Sequence, residues 1–543
     1  MTGPTDGDLD AASLQVLISR LTGVAEEMGI VLRRAAYSPN IKERADCSAA
    51  LFTPEGELLV QAEHIPVHLG SMPASVAAAL DAFPGGLGPG EQVVVNDPYA
   101  GGTHLNDITL VAPCHVDGRL LGWVANRAHH ADVGGMAPGS IPPDATEIQQ
   151  EGLRLPPVRL TPEVVAVLAA NSRTPDERRG DLDAQIGANA VGVERLRAFA
   201  GAPLAAVTDY GERRMRAALR AVPDGSWSFA DVLDSAGPRP AQQQPVHLVV
   251  NLSVEGERAT FDFTGTDPQG SGNVNAVEAV TISAVAFALR TALDPTIPAN
   301  GGSMRPVRVL APPGTVVAAL PPAAVGAGNV EVSQRVADVC LGALAAARPG
   351  SVGAAGQGTM NNLLVGGRGW VYYETIAGGQ GGRPSGAAGM SGVHTGMTNT
   401  VEERHPLVRE SRPGQSGLHT GMTNTLNTPA EALERAYPLR VLRYTLRRGS
   451  GGAGCSAGGE GIERDLQVLE DCTVSLITER RVSRPWGLDG GEPGVVGENW
   501  LLPGGDESFA ERLHDKCTVE LKAGDVVRIL TPGGGGWGSS SRR

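Results

Sequence analysis

Along the first third of the chain the apolar positions change period. Leu14, Leu17, Leu21, Val24, Met28 and Val31 recur at three- and four-residue steps after a polar start, which predicts an amphipathic helix. Short extended runs follow at 48–52, 57–61 and 92–96. Residues 107–114 and 120–127 read as two strands joined at Asp117-Gly118, a dipeptide suited to hairpin turns. A break is expected at 156–162, then helices over 181–200 and 207–222, with Gln185, Asn189 and Glu194 as polar interruptions. After Gly225 the alternation at 247–254 and 258–263 predicts a sheet, while 277–293 and 330–346 have helical composition. Residues 356–392 form a Gly-rich stretch of strands and loops, and short β runs alternate with Gly clusters from about 437 to the end.

These elements add up to an α+β, multi-domain fold: mixed sheets with helices, and a β-rich C-terminal region. The expected divisions are 1–155, 156–225 (helical), 226–436 (mixed, with Gly-rich loops) and 437–543 (β-rich). A length of 543 residues exceeds what one ordinary core supports. With 73 Gly, 39 Pro and few aromatic residues, the interior must rest on Val, Leu, Ile and Ala with many tight turns.

Charge and cysteine usage exclude several classes of function. A net charge of −14 without a clustered basic surface argues against a nucleic-acid partner. The three lysines, Lys42, Lys516 and Lys522, lie outside any phosphate-cradling glycine loop, so this chain is not expected to bind ATP that way. The six cysteines contain no Cys-x-x-Cys pair, which predicts reduced, mostly buried thiols. No basic segment leads into an apolar run at the N-terminus and no window is long enough to span a bilayer, so the expectation is a cytoplasmic protein without a membrane partner.

Histidine is concentrated: six of eleven (His64, His68, His104, His115, His129, His130) fall within seventy residues, beside several aspartates. Imidazole and carboxylate form the usual ligand set for Zn, Mn or Fe, so His104-x-x-Asp107 and His129-His130-x-Asp132 make the first 155 residues the candidate metal-binding catalytic region. Hairpin geometry tests whether these groups meet. A tight turn at Asp117-Gly118 sets Asp107 opposite Ala128 and His130 on its face; a three-residue loop with a bulge sets Asp107 across from His129. Sequence leaves both registers open.

The motifs Glu43-Arg-Ala-Asp-Cys-Ser48, His64-Ile-Pro-Val-His-Leu-Gly-Ser-Met72, Asn96-Asp-Pro-Tyr-Ala-Gly-Gly-Thr-His104 and Pro138-Gly-Ser-Ile-Pro-Pro-Asp-Ala-Thr-Glu147 resemble those of the hydantoinase B/oxoprolinase family. The likeness continues through Gly328-Asn-Val-Glu-Val-Ser-Gln334, Tyr373-Glu-Thr-Ile-Ala-Gly-Gly379 and Thr531-Pro-Gly-Gly-Gly-Gly536. The resemblance implies the hydrolytic subunit of an ATP-dependent cyclic amidase. A hydantoinase A-type, kinase-like partner would bind ATP and phosphorylate a lactam or hydantoin, and this chain would open the ring with water activated by one divalent transition metal. It implies metal ligands at Asp46, His104, Asp107 and His129, and a hetero-oligomer with two copies of each subunit. The other readings are a metal-binding subunit of an acetone-carboxylase-like complex and a non-catalytic assembly subunit.

Around that ligand set, His130, Asp132 and Glu151 are the candidates for proton transfer or for support of the ligands, being close to them in sequence. Arg44, His64 and His68 are candidates for substrate binding: Arg44 for a phosphate or carboxylate, the two histidines for shaping the pocket, because Pro66 disfavours a helical ligand pair. One departure from the family pattern is a duplication. Gly392-Val-His-Thr-Gly-Met-Thr-Asn-Thr400 returns as Gly417-Leu-His-Thr-Gly-Met-Thr-Asn-Thr425, and residues near 394–418 are expected to be an insertion.

Overall fold

The computed structural model describes residues 9–62, 65–384, 416, 422 and 425–539; His64 and nearly all of the duplicated segment lie outside them. The stripe that starts at Leu14 forms a helix over Ala11–Ala35, whose first turn is capped by the Asp10 carboxylate accepting from the Ser13 amide at 2.7 Å. It packs on an antiparallel sheet of β1 (Cys47–Phe52), β2 (Leu58–Ala62), β3 (Val93–Val95), β4 (Asp107–Val116), β5 (Arg119–His129) and β6 (Val158–Arg159), ordered β2-β1-β5-β4-β3-β6. The helices Ala11–Ala35 and Pro175–Leu196 cover one face, and Ser71–Ala82 covers the other. Burial on both faces explains why β1 and β2 are buried at every position instead of alternating.

The β4–β5 hairpin resolves the register. Its turn is the tight one, Val116 pairing with Arg119, and both Asp117 (φ 49°) and Gly118 (φ 73°) adopt the left-handed conformation that such a turn requires. A bulge deeper in the ladder, where Cys114 pairs with Gly122 but His115 with Leu120, then moves the pairing by one residue. Asp107 therefore faces His129. The shift expected from a three-residue loop comes instead from one extra residue, Leu121, inside the strand.

A second sheet, β7 (Gly225–Leu233), β8 (Val246–Glu255), β9 (Arg258–Asp262) and β10 (Val307–Leu310), runs in the order β10-β9-β8-β7. The strand β8 alternates between buried and more exposed positions, as its sequence predicts for a sheet with one covered face. The helix Ser333–Ala347 lies on β7 and β8, and Glu278–Ala292 packs against that helix. These elements share one continuous core with Leu105, Ile108 and Val133 of the N-terminal region.

Two further sheets close the molecule. One orders Trp370–Thr375, Asn362–Gly367, Cys472–Ile477 and Lys516–Leu521, drawing strands from both sides of residue 437; the other orders Leu439–Arg447, Gly461–Val468, Val526–Leu530, Glu498–Leu502 and Glu511–Leu513. The glycine clusters bond to one another outside these sheets: Gly534 donates to the Gly459 carbonyl at 2.9 Å, and Gly452 to that of Gly534, Gly382 to that of Gly535 and Gly536 to that of Glu492, each at 2.8 Å. Backbones pack this closely only where side chains are missing, which accounts for much of the glycine content. None of the six cysteines is in a disulfide. Among the described residues no helix is long and apolar enough to cross a membrane.

Among the described residues, two helices of ten residues or more escaped the sequence pattern, as did the short ones at Pro39–Lys42, Gly301–Met304 and Ala430–Ala436. Ser71–Ala82 is rich in small residues that leave little stripe, and Pro162–Asn171 begins inside the expected break, with Pro162 in its first turn and the Thr161 hydroxyl capping it.

Candidate metal centre

Three ligand-type atoms converge where β4 begins and β5 ends. His104 Nε2 lies 3.1 Å from His129 Nδ1 and 3.1 Å from Asp107 Oδ1, and His129 Nδ1 lies 3.2 Å from the same carboxylate oxygen. Ligands about 2.1 Å from a common ion stand roughly 3.0 Å apart in an octahedral arrangement and roughly 3.4 Å apart in a tetrahedral one. The observed triangle falls between those spacings. All three residues are buried, and among the described residues they are the one group of three His, Cys, Asp or Glu residues that could hold a metal ion.

Local geometry puts each residue in place. The two glycines before Thr103-His104 let the chain fold over Asp97: Gly101 is left-handed (φ 84°), and a Cβ on Gly102 would sit 2.7 Å from the Asp97 carbonyl oxygen. His104 Nδ1 lies 3.3 Å from the carbonyl of Gly326; a carbonyl only accepts, so Nδ1 carries the proton and Nε2 turns its lone pair to the cluster. Asp107 keeps one oxygen for the triangle. Its other oxygen accepts from the Thr103 hydroxyl (2.5 Å) and the Asn329 amide (3.4 Å), with His68 Nε2 at 3.5 Å. His129 differs from His104 in that its second nitrogen, Nε2, is buried without a hydrogen-bond partner among the described residues, while its ring stacks on Tyr373.

The electrostatics suit a cation. Burial would raise the Asp107 pKa, but His104, His129 and His68 outweigh it and hold this carboxylate well below its ordinary range. Burial works against the charged form of His104 too, yet Asp107 and Asp46 keep its pKa above the usual value. Burial pushes His129 down to about 3, which leaves that ring neutral and able to coordinate. The donor set fits a divalent transition metal.

The other sequence candidates fall in several places. Asp46 follows Ala45, which adopts the left-handed conformation (φ 57°) as the chain enters β1. Its backbone carbonyl accepts from the His129 amide at 3.0 Å. Its carboxyl is buried, which raises its pKa to about 7 despite Arg44, and it feels the charges of Asp107 and His104, but it is not one of the three residues in the triangle. His68 lies at the edge of the site, its Nδ1 2.8 Å from the Ser48 hydroxyl. Glu151 sits one step behind His104: its carboxylate accepts from the amides of Gly326 (2.8 Å) and Val325 (3.1 Å), and burial raises its pKa to about 7.

Three candidates are turned elsewhere. His130 points to the opposite side of the strand from His129, with Nε2 2.9 Å from Gln185 Oε1 on the helix Pro175–Leu196. Asp132 accepts from the amides of Gly134, Gly139 and Arg173 and from the Arg173 guanidinium, a set of bonds that ties down its loop. Arg44 spends its guanidinium on Asn40 (2.6 Å), the Tyr373 carbonyl (2.8 Å) and the Thr375 hydroxyl (2.8 Å).

Sequence reasoning missed Thr103, Gly326, Asn329 and Tyr373 as members of this site. Asn329 and Tyr373 lie in motifs that signal the family, and that signal could have drawn attention to them. Their distance from the histidines along the chain hid the contact.

The chain is similar to known proteins over nearly its whole length. A family model described as Hydantoinase B/oxoprolinase matches residues 10–405 and 408–540. The chain is 36% identical to 5-oxoprolinase 1 of Arabidopsis thaliana across 98% of its own length, but it spans only 42% of that longer protein. It is 30% identical to a putative B-type component of a D-/L-hydantoinase from Pseudomonas sp. (strain NS671), covering 98% of this chain and 91% of the other. The crystal structure of ATP-dependent caprolactamase from Pseudomonas jessenii superposes with a TM-score of 0.85 at 26% identity, over 98% of this chain and 92% of that one.

Proposed function

The chain belongs to the hydantoinase B/oxoprolinase family, and from that premise we propose that it is the hydrolytic subunit of an ATP-dependent cyclic amidase that opens a phosphorylated lactam or hydantoin ring. The observation that carries the reading is the triangle of His104 Nε2, Asp107 Oδ1 and His129 Nδ1, with sides of 3.1 to 3.2 Å. Those three residues would hold one divalent transition metal (Zn, Mn or Fe), with Asp46 as a fourth ligand. When bound, such an ion supplies Lewis acidity toward a carbonyl oxygen and brings the acidity of a water molecule close to neutral pH.

The chain's own groups prepare the ground for that chemistry. An amide resists attack through resonance, so ring opening at neutral pH needs prior activation, which the proposal assigns to phosphorylation of the amide oxygen by a hydantoinase A-type, kinase-like partner. The longer relatives support this division: this chain matches only 42% of 5-oxoprolinase 1, which leaves ample sequence there for a nucleotide-using part. Burial of the cluster excludes bulk water and strengthens every charge interaction within it. The Thr103 hydroxyl and the Asn329 amide hold Asp107 so that one oxygen stays free, and the Gly326 carbonyl fixes the His104 tautomer. Assembly with the partner, in two copies of each chain, is part of the same proposal.

Co-expression with a hydantoinase A-type partner and assay of ATP-dependent ring opening on a panel of lactams and hydantoins tests it. Wild type should open at least one ring, and His104→Ala should lose ring opening while nucleotide cleavage by the complex continues. Ring opening unimpaired in His104→Ala would remove the basis of the assignment.

A further inference from the structure

The two histidines of the triangle are oriented by different means. His104 has a hydrogen-bond partner behind it, the Gly326 carbonyl 3.3 Å from Nδ1. A metal-binding imidazole is normally fixed in this way, its second nitrogen donating to an oxygen that sets both tautomer and ring plane. Among the described residues His129 has no such partner, because its Nε2 is buried and unpaired. Its ring instead lies against Tyr373, with centroids 4.6 Å apart and planes 16° from parallel.

Tyr373 is itself held from several directions. Its hydroxyl donates to Asn362 Oδ1 at 2.8 Å. The Asn362 amide is fixed in turn by the Glu331 carboxylate (2.9 Å) and the Ile477 carbonyl (3.0 Å). The Tyr373 backbone carbonyl accepts from Arg44, whose guanidinium carbon lies 5.1 Å from the ring centre. The tyrosine sits in the middle of the strand Trp370–Thr375, more than two hundred residues after His129 in sequence.

We propose that Tyr373 is a positioning residue for the metal centre: anchored by its hydroxyl to Asn362, it acts as a flat plate that sets the ring plane of His129 in place of the missing hydrogen bond. The inference rests on the metal reading given above and extends it, because it makes the C-terminal half of the chain a determinant of cation affinity. A stacked face restricts rotation of the ring about its Cβ–Cγ bond while leaving Nδ1 free to coordinate. The hydroxyl bond keeps the plate from tilting.

The test is cation binding by the purified full-length chain, without partner or substrate. Zn²⁺ affinity is read by competition with a chromophoric chelator, and site geometry by the visible absorption of bound Co²⁺. Tyr373→Leu removes the plate and should weaken Zn²⁺ binding about tenfold or more, the usual effect of losing a group that orients a ligand. Tyr373→Phe keeps the plate and loses only its anchor. It should bind Zn²⁺ more tightly than Tyr373→Leu while shifting the Co²⁺ spectrum, a change at the hydroxyl anchor that a merely space-filling role would not produce.

Circular dichroism establishes that each variant is folded; should Tyr373→Leu not fold, the Co²⁺ spectrum of Tyr373→Phe decides, an unchanged spectrum overturning the proposal. Wild-type Zn²⁺ affinity in a folded Tyr373→Leu also overturns it. His129→Ala and Asp107→Asn separate this failure from that of the underlying reading. If both bind Zn²⁺ as wild type does, the metal site itself is wrong; if both lose Zn²⁺ while Tyr373→Leu does not, the plate alone is wrong.

Discussion

The Glu151 carboxylate holds the loop whose Gly326 carbonyl holds His104: Glu151 Oε1 accepts from the Gly326 amide at 2.8 Å, and that residue's carbonyl oxygen lies 3.3 Å from His104 Nδ1. Two segments far apart in sequence thereby decide which nitrogen of His104 faces the cluster. A Cβ on Gly326 would lie 2.9 Å from Glu151 Oε1 and 2.9 Å from an Ile141 methyl, so a larger residue there would displace the carboxylate that holds the loop.

Glu151→Gln should therefore weaken divalent-cation binding without unfolding the chain. The amide can accept one of the two backbone donors but confronts the other with its own NH₂ group. The expected loss in Zn²⁺ affinity is about tenfold, as for other groups behind a metal ligand. Competition dialysis against a chelator measures it, and an unchanged affinity would show that the loop holds its shape without this carboxylate.

His130 predicts a pH dependence of stability. Burial, aided by Arg178, lowers its pKa to about 4, from an ordinary value of 6.5. Below pH 6.5 the unfolded chain takes up a proton that the folded one refuses, so stability contributed above 6.5 is lost as pH falls toward 4. The slope from this group is roughly 1.4 kcal/mol per pH unit. Urea unfolding at a series of pH values should show it in wild type and show a shallower slope in His130→Gln, where no proton is bound. Equal slopes would mean that the ring is charged, or solvated, in the folded state.

The glycine assembly predicts a large effect from one methyl group. A Cβ on Gly534 would collide with the Gln380 carbonyl and with the Gly381 backbone at 2.7 Å, and backbone atoms cannot swing aside as a side-chain end would. Gly534→Ala should cost about 3 kcal/mol, the upper end for overpacking, or prevent folding. Gly524→Ala is the comparison: nothing lies within 4 Å of its added Cβ, and the cost there comes only from its left-handed backbone (φ 102°). Thermal unfolding of the pair should rank Gly534→Ala well below Gly524→Ala.

Lys516 is wholly buried, its Nζ 2.5 Å from Glu479 and 2.9 Å from Asp515. Lys516→Met removes the cation and leaves both carboxylates facing each other without it, at an expected cost of about 3 to 5 kcal/mol. Denaturant unfolding measures the loss. A change below about 1 kcal/mol would place these groups in contact with water.

Elements whose pattern depends on local contacts were legible without coordinates. The Leu14 stripe, the Asp117-Gly118 hairpin and the alternation of β8 each express a repeat set by backbone geometry and one covered face. The helix Ser71–Ala82 was not, because small residues pack well on either side and leave no stripe to read. At the site, the density of histidine and aspartate pointed to metal chemistry, but hairpin spacing could not separate His129 from His130, and only the family resemblance favoured His129. Neighbours on a strand face opposite ways, and one bulged residue decides which faces in.

The sequence alone determined the chemical vocabulary of this protein: an acidic, glycine-rich α+β chain with a histidine- and aspartate-rich first third and family motifs almost from end to end. Tertiary structure decided which of those groups act together. It closed the His104–Asp107–His129 triangle through the bulge at Leu121, turned His130 and Asp132 to Gln185 and Arg173, and brought Gly326, Asn329 and Tyr373 across from the far half of the chain. The physical reason is range. Local periodicity is written by neighbours a few residues apart, whereas ligand geometry depends on ångström-scale contacts between segments hundreds of residues apart, and no local pattern encodes those.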